Sequence, residues 1–525
     1  MSKNILFANA KIYSKNTPQS NSLIIEDGQI KFIGDLQEAR KSASSQITEI
    51  DLSGKFILPG LCDFHLHLAY TAEKLDAVDC ETDSLGECLA RVATKAQNTP
   101  ADDWIIGYGW NHNVWQPAEY GTATQLDAVS ANHPVFLHAK SLHAAWVNTM
   151  AMRIAGIDRN TPDLEGGVIM RNEYGEPTGI LLENAASLVF NHLPEPNTEQ
   201  VAQKFLRAQT HLHSLGLTAV HDFDRFQSAE ALLLLNDRDE LKLRVSKNLP
   251  SEEVDRVISE NWRAKLTRPP FLKPGWLKAF ADGALGPQSA AMLEPYQGSQ
   301  NLGMLLLKAE DLANLGKNAA LAGWPLSVHA IGDRAVREVL DGFHLLRQFE
   351  RENHLPPLPH RIEHVQIIQP ADLQRMKDYN IIASVQPIHA PSDFLTADHH
   401  WGRRCEYAYA YQSLLSKGVD VRFGSDAPVE SADPFLGIHA AVTRKRLDGQ
   451  PGPQGWYPQQ RVTLQQAISA FTQPLPGSGE VDLLETGMPA DLVILDHDPF
   501  MLDPDELAEL KPNMTVVAGE VVFSR

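Results

Sequence analysis

Residues 60–67 read GLCDFHLH and follow directly on the apolar run KFILP. Strand side chains alternate between faces, so His65 and His67 point the same way while Leu66 faces the other layer. Two imidazoles converging at the end of a buried apolar strand are costly unless their nitrogens find partners. A divalent metal is one such partner, because neutral imidazole is among the commonest metal ligands. Two hydrogen-bonded core histidines satisfy the same pattern. An isolated HxH therefore leaves both readings open, and the rest of the chain has to decide.

Taking KFILPGLCDFH as a first strand, further apolar runs follow at LTAVHDF (217–223), LRVSKN (243–248), GWLKAFADG (275–283), PLSVHAIGD (325–333), HRIEHVQ (360–366), IIASVQP (381–387) and VDVRFGSD (419–426). Helical stretches such as AEDLANLGKNAALAG and PADLQRMKDYN lie between several of them. Strands alternating with helices in this way predict an α/β fold, a (β/α)8 TIM barrel whose reactive groups stand at the C-terminal strand ends. The first fifty-odd residues differ: ILFANAKIYS, SLIIEDGQIKFIGD and SQITEIDLSGKFIL are short strands split by turns, with a hairpin signal at Asp27-Gly28. The last forty, GMPADLVILDHDP and MTVVAGEVVFSR, look similar. Neither end has enough strands for a stable sheet, so the two termini are expected to pair into one small β domain.

The expected organisation is therefore residues 1–58 with 478–525 as the small β domain, 59–70 with 211–477 as the barrel, and 71–210 as an insertion over the barrel mouth. The insertion is far longer than one crossover needs.

The chain's 525 residues exceed one ordinary core, and its composition, 43% hydrophobic and 21% charged, is that of a globular protein. With 46 basic against 66 acidic residues the formal charge is −20, which argues against nucleic acid or anionic membranes as partners. Cys62, Cys80, Cys88 and Cys405 form neither a CxxC pair nor a disulfide framework. The N-terminal MSKNILFANAKIYSKN is too polar for a signal peptide, and no apolar run approaches a membrane span, so the expected address is the cytoplasm.

The strand ends carry one constellation. The first ends in His65 and His67, the fifth in His329, the sixth in His364 and the eighth in Asp426. Four imidazoles and a carboxylate suit a hydrolytic zinc, iron or manganese site. On the fourth strand, Lys278 sits in an apolar run where an ammonium is expensive to desolvate. A salt bridge, with Asp282 for instance, is one outcome. The other is a depressed pKa and reaction of the neutral amine with carbon dioxide, giving a carbamate able to bridge two metals.

These residues, with KAFADGALG, HAIGDRAV, RIEHVQ, SVQP, GSDAPVE and the terminal GMPADLVILDHDP, resemble the amidohydrolase superfamily, and within it the subgroup that includes N-substituted formamide deformylases. The resemblance covers almost the whole chain. It implies a distorted (β/α)8 barrel plus a β-sandwich-like domain built from both termini. It also implies two divalent ions, zinc with iron or manganese as alternatives. His65 and His67 would hold the more buried ion, His329 and His364 the outer one. Carbamylated Lys278 would bridge them and Asp426 would bind the buried ion. One departure stands out: relatives carry Asp-Gly-His where this chain has Ser141-Leu142-His143.

The reaction so implied is hydrolysis of a non-peptide amide-type C–N bond of a small molecule by water activated on the metal. Asp426 would shuttle the proton and His143 would donate a hydrogen bond to the substrate oxygen. Trp110 is expected to wall an apolar pocket, Gln386 to contact substrate and Asp282 to orient a ligand or meet substrate. His221 and Asp222 read as structural, and Asp333 as a helix N-cap. A mononuclear deaminase or cyclic amidine hydrolase is the nearest rival, separated by Lys278, and a non-catalytic barrel scaffold is the rival of another class. A homo-oligomer is compatible with all of these.

Overall fold

In the computed structural model, residues 4–14, 20–44, 46–140, 144–164, 166–472 and 484–525 are described. The expected domain boundary at 477/478 lies outside the described residues, as does His143. The chain divides into two compact units, Met1–Thr71 with Val201–Arg525, and Ala72–Gln200.

Eight parallel strands form the centre of the first unit: β1 (Leu61–Leu66), β2 (Leu217–Asp222), β3 (Arg244–Pro250), β4 (Leu272–Phe280), β5 (Leu326–Ala330), β6 (Arg361–His364), β7 (Ile382–Val385) and β8 (Val421–Phe423). Each pairs with its neighbours in chain order. Strands covered by helices on the outside are buried on both faces, which is why they read as apolar runs. Every residue of β1, β2 and β6 is buried. The ring closes irregularly beyond the end of β8: the Asp426 amide donates to the His65 carbonyl at 2.7 Å and the His67 amide to Ala427 at 2.8 Å. This is a distorted barrel whose seam lies beside His65 and His67.

The run KFILPGLCDFH is not one strand. Phe56–Pro59 belongs to a second sheet, and Gly60 separates it from β1. A Cβ at Gly60 would stand 2.3 Å from Thr218 Oγ1, so the chain passes β2 here only because the residue has no side chain. Phe56–Pro59 pairs antiparallel with Leu492–Leu495, which pairs with Pro512–Val517. A four-stranded sheet of N-terminal segments completes this part. Its Ser22–Glu26/Gln29–Gly34 hairpin turns through Asp27 (φ 50°) and Gly28 (φ 76°), both in the left-handed region that two-residue hairpins require. Ile5, Ile25 and Ile57 share one core with Leu492 and Val516, so the two termini pack together.

The second unit contains a six-stranded mixed sheet, running from Val78–Asp79 at one edge to Gly167–Arg171 at the other. Trp110, Trp115 and Trp146 pack in its core with ring centroids 6.2–6.4 Å apart. No helix among the described residues is long and apolar enough to cross a membrane.

Candidate metal centre

Asp63, His65 and His67 alternate correctly on and just past β1 to share a side. Asp63 accepts from the amides of His65 (2.9 Å) and Ser425 (3.1 Å) and from the Ser425 hydroxyl (2.5 Å), tying β1 to the segment after β8. That approach requires Gly424: a Cβ there would lie 2.5 Å from the His65 amide nitrogen and 2.8 Å from Asp63 Oδ1. Gly424→Ala therefore pushes the two segments apart. The expected cost is about 1–3 kcal/mol, read as a lower unfolding temperature together with a loss of bound metal.

The segment delivers Asp426 in the left-handed region (φ 59°), a conformation that costs a non-glycine residue energy and persists when surroundings enforce it. Asp426 Oδ1 lies 3.4 Å from His65 Nε2 and 3.6 Å from His67 Nε2. Both rings present Nε2 because Nδ1 is engaged elsewhere. His65 Nδ1 faces Glu363 Oε2 at 2.6 Å, and His67 Nδ1 faces Asp224 Oδ1 at 3.3 Å. The His65 ring also stacks on Phe223, with centroids 3.9 Å apart.

His364, the last residue of β6, has φ 72°, and its Nδ1 faces Gln386 Oε1 at 2.8 Å. Its ligand-type atom lies with those of His389 and Asp426 within a mutual 4.8 Å, as do those of His65, His67 and Asp426. His329 packs edge-on against His364 with centroids 4.6 Å apart. Its Nε2 lies 2.9 Å from the Gly283 carbonyl, which leaves Nδ1 as its lone-pair atom. Lys278 Nζ lies 4.9 Å from the ring centres of Phe223 and Phe280.

Electrostatics agree with a donor set for a cation. Burial keeps His65 and His364 well below the usual imidazole range and takes His329 to about 3 and His389 to about 4, so these rings are neutral. His67 alone is raised: burial opposes its charge but is outweighed by the Asp224 carboxylate. Burial lowers Lys278 to about 8 against the pull of Glu363 and Asp426, and raises Asp426 to about 6. Imidazoles whose far nitrogens are held by carboxylates or an amide are the arrangement metal-binding histidines adopt. The residues fit a divalent cation.

These side chains line one cavity of about 390 Å³, joined there by Phe280, Ile331, Gln366 and Asp393. Trp110 is 2% exposed in the core of the second unit, its Nε1 donating to the Leu137 carbonyl at 2.8 Å, so it is a packing residue. Asp282 accepts from the amides of Ala291, Ile331 and Gly332 at 2.8–3.0 Å and lies 3.6 Å from His329 Nε2, so it braces the loop under His329. Gln386 stands behind His364, where its Oε1 faces the ring, and Tyr411 donates to its backbone carbonyl at 3.0 Å. Asp333 is no N-cap either: Gly332 caps the helix Asp333–Glu352, while Asp333 accepts from the Leu293 amide and Gln369. His221 accepts from Arg361 at 2.9 Å, and Asp222 from Lys247 at 2.7 Å and Ser228 at 2.6 Å.

Glu363, Asp224, Asp63 and His389 were not singled out in the sequence. Asp63 was legible, being two residues before His65 on the same strand face. A charged pair inside the buried RIEH run pointed to Glu363, whereas Asp224 lies in a loop without periodicity and His389 opens the helix His389–Trp401 straight after a turn.

A family model described as the amidohydrolase family matches residues 48–523. Over 525 residues the chain is 32% identical to a Bacillus subtilis (strain 168) protein named amidohydrolase YtcJ, covering 97% of this chain and 96% of that one. It is 28% identical to the N-substituted formamide deformylase of Arthrobacter pascens, covering 99% and 98% of the two chains. Among solved structures, an uncharacterized metal-dependent hydrolase from Pyrococcus furiosus matches with a TM-score of 0.75 at 27% identity, over 94% of this chain and 99% of that one. The match runs through both the barrel and the paired termini, and the chain belongs to the amidohydrolase family, as a metal-dependent hydrolase of C–N bonds.

Proposed function

We propose that the chain hydrolyses a non-peptide amide-type C–N bond, in an N-substituted formamide or another N-acyl compound, in the cytoplasm and with two zinc ions. The observation that carries this reading is a shared carboxylate. Asp426 Oδ1 lies 3.4 Å from His65 Nε2 and 3.6 Å from His67 Nε2, and the same carboxylate groups with His364 within 4.8 Å. Likeness to an N-substituted formamide deformylase supports formyl as the acyl group.

His65, His67, His329, His364 and Asp426 would hold the ions together with Lys278. An amine titrating at about 8 keeps a neutral fraction at neutral pH. Its nitrogen adds to carbon dioxide and loses a proton, giving a carbamate anion. Bound metal supplies a Lewis acid for the substrate carbonyl and lowers the pKa of water toward about 7. Asp426 Oδ1 takes the proton of the attacking water and returns it to the leaving nitrogen. His143 would donate to the oxygen on which charge develops. Glu363 and Asp224 keep the imidazoles of His65 and His67 in the tautomer that presents Nε2 inward.

The test is a screen of the metal-loaded chain against N-alkyl formamides, N-acyl amino acids and cyclic amides, with metal content and intact mass measured alongside. The expected outcome is release of formate and amine, two metal equivalents per chain, and a mass excess of one carbon dioxide that vanishes in Lys278→Ala. Activity confined to ring amidines with one metal equivalent overturns the reading.

A further inference from the structure

One wall of the cavity carries hydrogen-bonding groups that the reaction leaves unused. His389 and Asp393 lie four residues apart on the helix His389–Trp401, so they share a face, and both line the cavity. His389 is 7% exposed and its Nε2 has no hydrogen-bond partner. Gln366, two residues past His364, lines the same cavity, is 5% exposed, and its Oε1 has no partner either. A buried amide oxygen without a donor costs free energy until something supplies an N–H.

Asp393 is held firmly for such a role. The Tyr409 hydroxyl donates to its Oδ2 at 2.7 Å, and the Tyr409 amide donates to the Gln366 carbonyl at 2.6 Å. Tyr409 is itself packed against Trp401 and Trp456, and Arg444 donates to its carbonyl at 3.1 Å. One buried tyrosine therefore ties the Asp393 carboxylate to the backbone of Gln366. Charge points the same way. Among the described residues lining the cavity, Lys278 is the only Lys or Arg, whereas Asp393, Asp426 and Glu430 are acidic. A substrate carboxylate on this wall would meet carboxylates.

We propose that Gln366, His389 and Asp393 form an amine-recognition subsite beside the metal centre, which binds a second N–H or ammonium group of the substrate and turns away substrates carrying a free carboxylate. The proposal rests on the amide-hydrolase reading and names its substrate class. His389 lies within 4.8 Å of the ligand-type atoms of His364 and Asp426, and Asp393 follows one helical turn on, a rise of about 6 Å. The recognised group is thus set a few carbon atoms from the scissile nitrogen, as in a mono-acylated short diamine.

The experiment compares kcat/KM of the metal-loaded full chain for N-butylformamide, the mono-N-formyl derivative of diaminobutane, and N-formyl aminobutanoate. The expected order is diamine, butyl, then carboxylate, with about 10- to 100-fold between the first and the last. Asp393→Asn and Gln366→Leu, at wild-type metal content, bring the diamine-to-butyl ratio close to one. Calorimetric binding of diaminobutane and of aminobutanoate to the same proteins gives a readout that needs no turnover. Diamine binding that falls in Asp393→Asn while no amide is hydrolysed keeps the subsite and sinks the reaction. A wild-type chain that takes the carboxylate as well as the diamine, or an Asp393→Asn chain that keeps the ratio, overturns the subsite.

Discussion

Replacing Asp426 by Asn lowers kcat by about 10²- to 10⁴-fold while KM stays within a few-fold of its original value. The geometry makes this substitution a clean one. The backbone of Asp426 is fixed in the left-handed region by its own amide on His65 and by the neighbouring Ala427 carbonyl on the His67 amide. An amide of the same shape therefore occupies the same place. Asn keeps one carbonyl oxygen near His65 and His67 but cannot take up a proton, and it removes the one carboxylate common to both clusters. Substrate binding, carried by the cavity walls, is retained. Because Asp426 is also a proposed ligand, the comparison is made at saturating metal, with bound metal measured on the assayed protein. A variant with full metal and near-normal turnover takes the proton role away from Asp426.

The barrel was legible because its strands are buried on both faces and stand out as apolar runs between helices. All seven runs after the first correspond to parallel strands, with ends shifted by a few residues. Lys278 and the strand-end histidines were legible for the complementary reason, that polar groups in such runs need partners. What stayed hidden depends on breaks in regularity. Nothing in KFILPGLCDFH marks Gly60 as the point where the chain passes from one sheet to another; the requirement is set by Thr218, which is remote in sequence. Alternation along β6 would separate Glu363 from His364, yet φ values of 72° at His364 and 43° at Val365 interrupt it. The two residues instead serve one centre, Glu363 through His65. Trp110 failed in the opposite sense: an aromatic cluster fills a core and walls a pocket equally well, and only the hydrogen bond of its ring nitrogen to Leu137 shows which.

Glu363→Ala is expected to cost stability and metal together, through separable routes. Arg361 and Glu363 are 1% and 0% exposed. Glu363 Oε1 accepts from Arg361 Nε at 2.5 Å and from Ser327 at 2.6 Å, while Oε2 faces His65 Nδ1 at 2.6 Å. The guanidinium also donates to His221 and to the Phe64 carbonyl, both at 2.9 Å, and lies 4.4 Å from the Trp276 ring. Losing the carboxylate leaves a charge buried inside the barrel without its anion, a change of about 3–5 kcal/mol when one partner of such a pair is removed. It also leaves His65 free to adopt the wrong tautomer, which weakens metal binding by about 10- to 100-fold. Unfolding of chelator-treated protein reports only the first route, and metal titration of the folded protein reports the second. Glu363→Gln keeps an acceptor for either Arg361 or His65 but no charge, so it falls between wild type and Ala on both measures. An Ala variant that, stripped of metal, unfolds at the wild-type temperature would show that the pair contributes no net stability, leaving orientation of His65 as the sole physical reason for a charged residue at this depth.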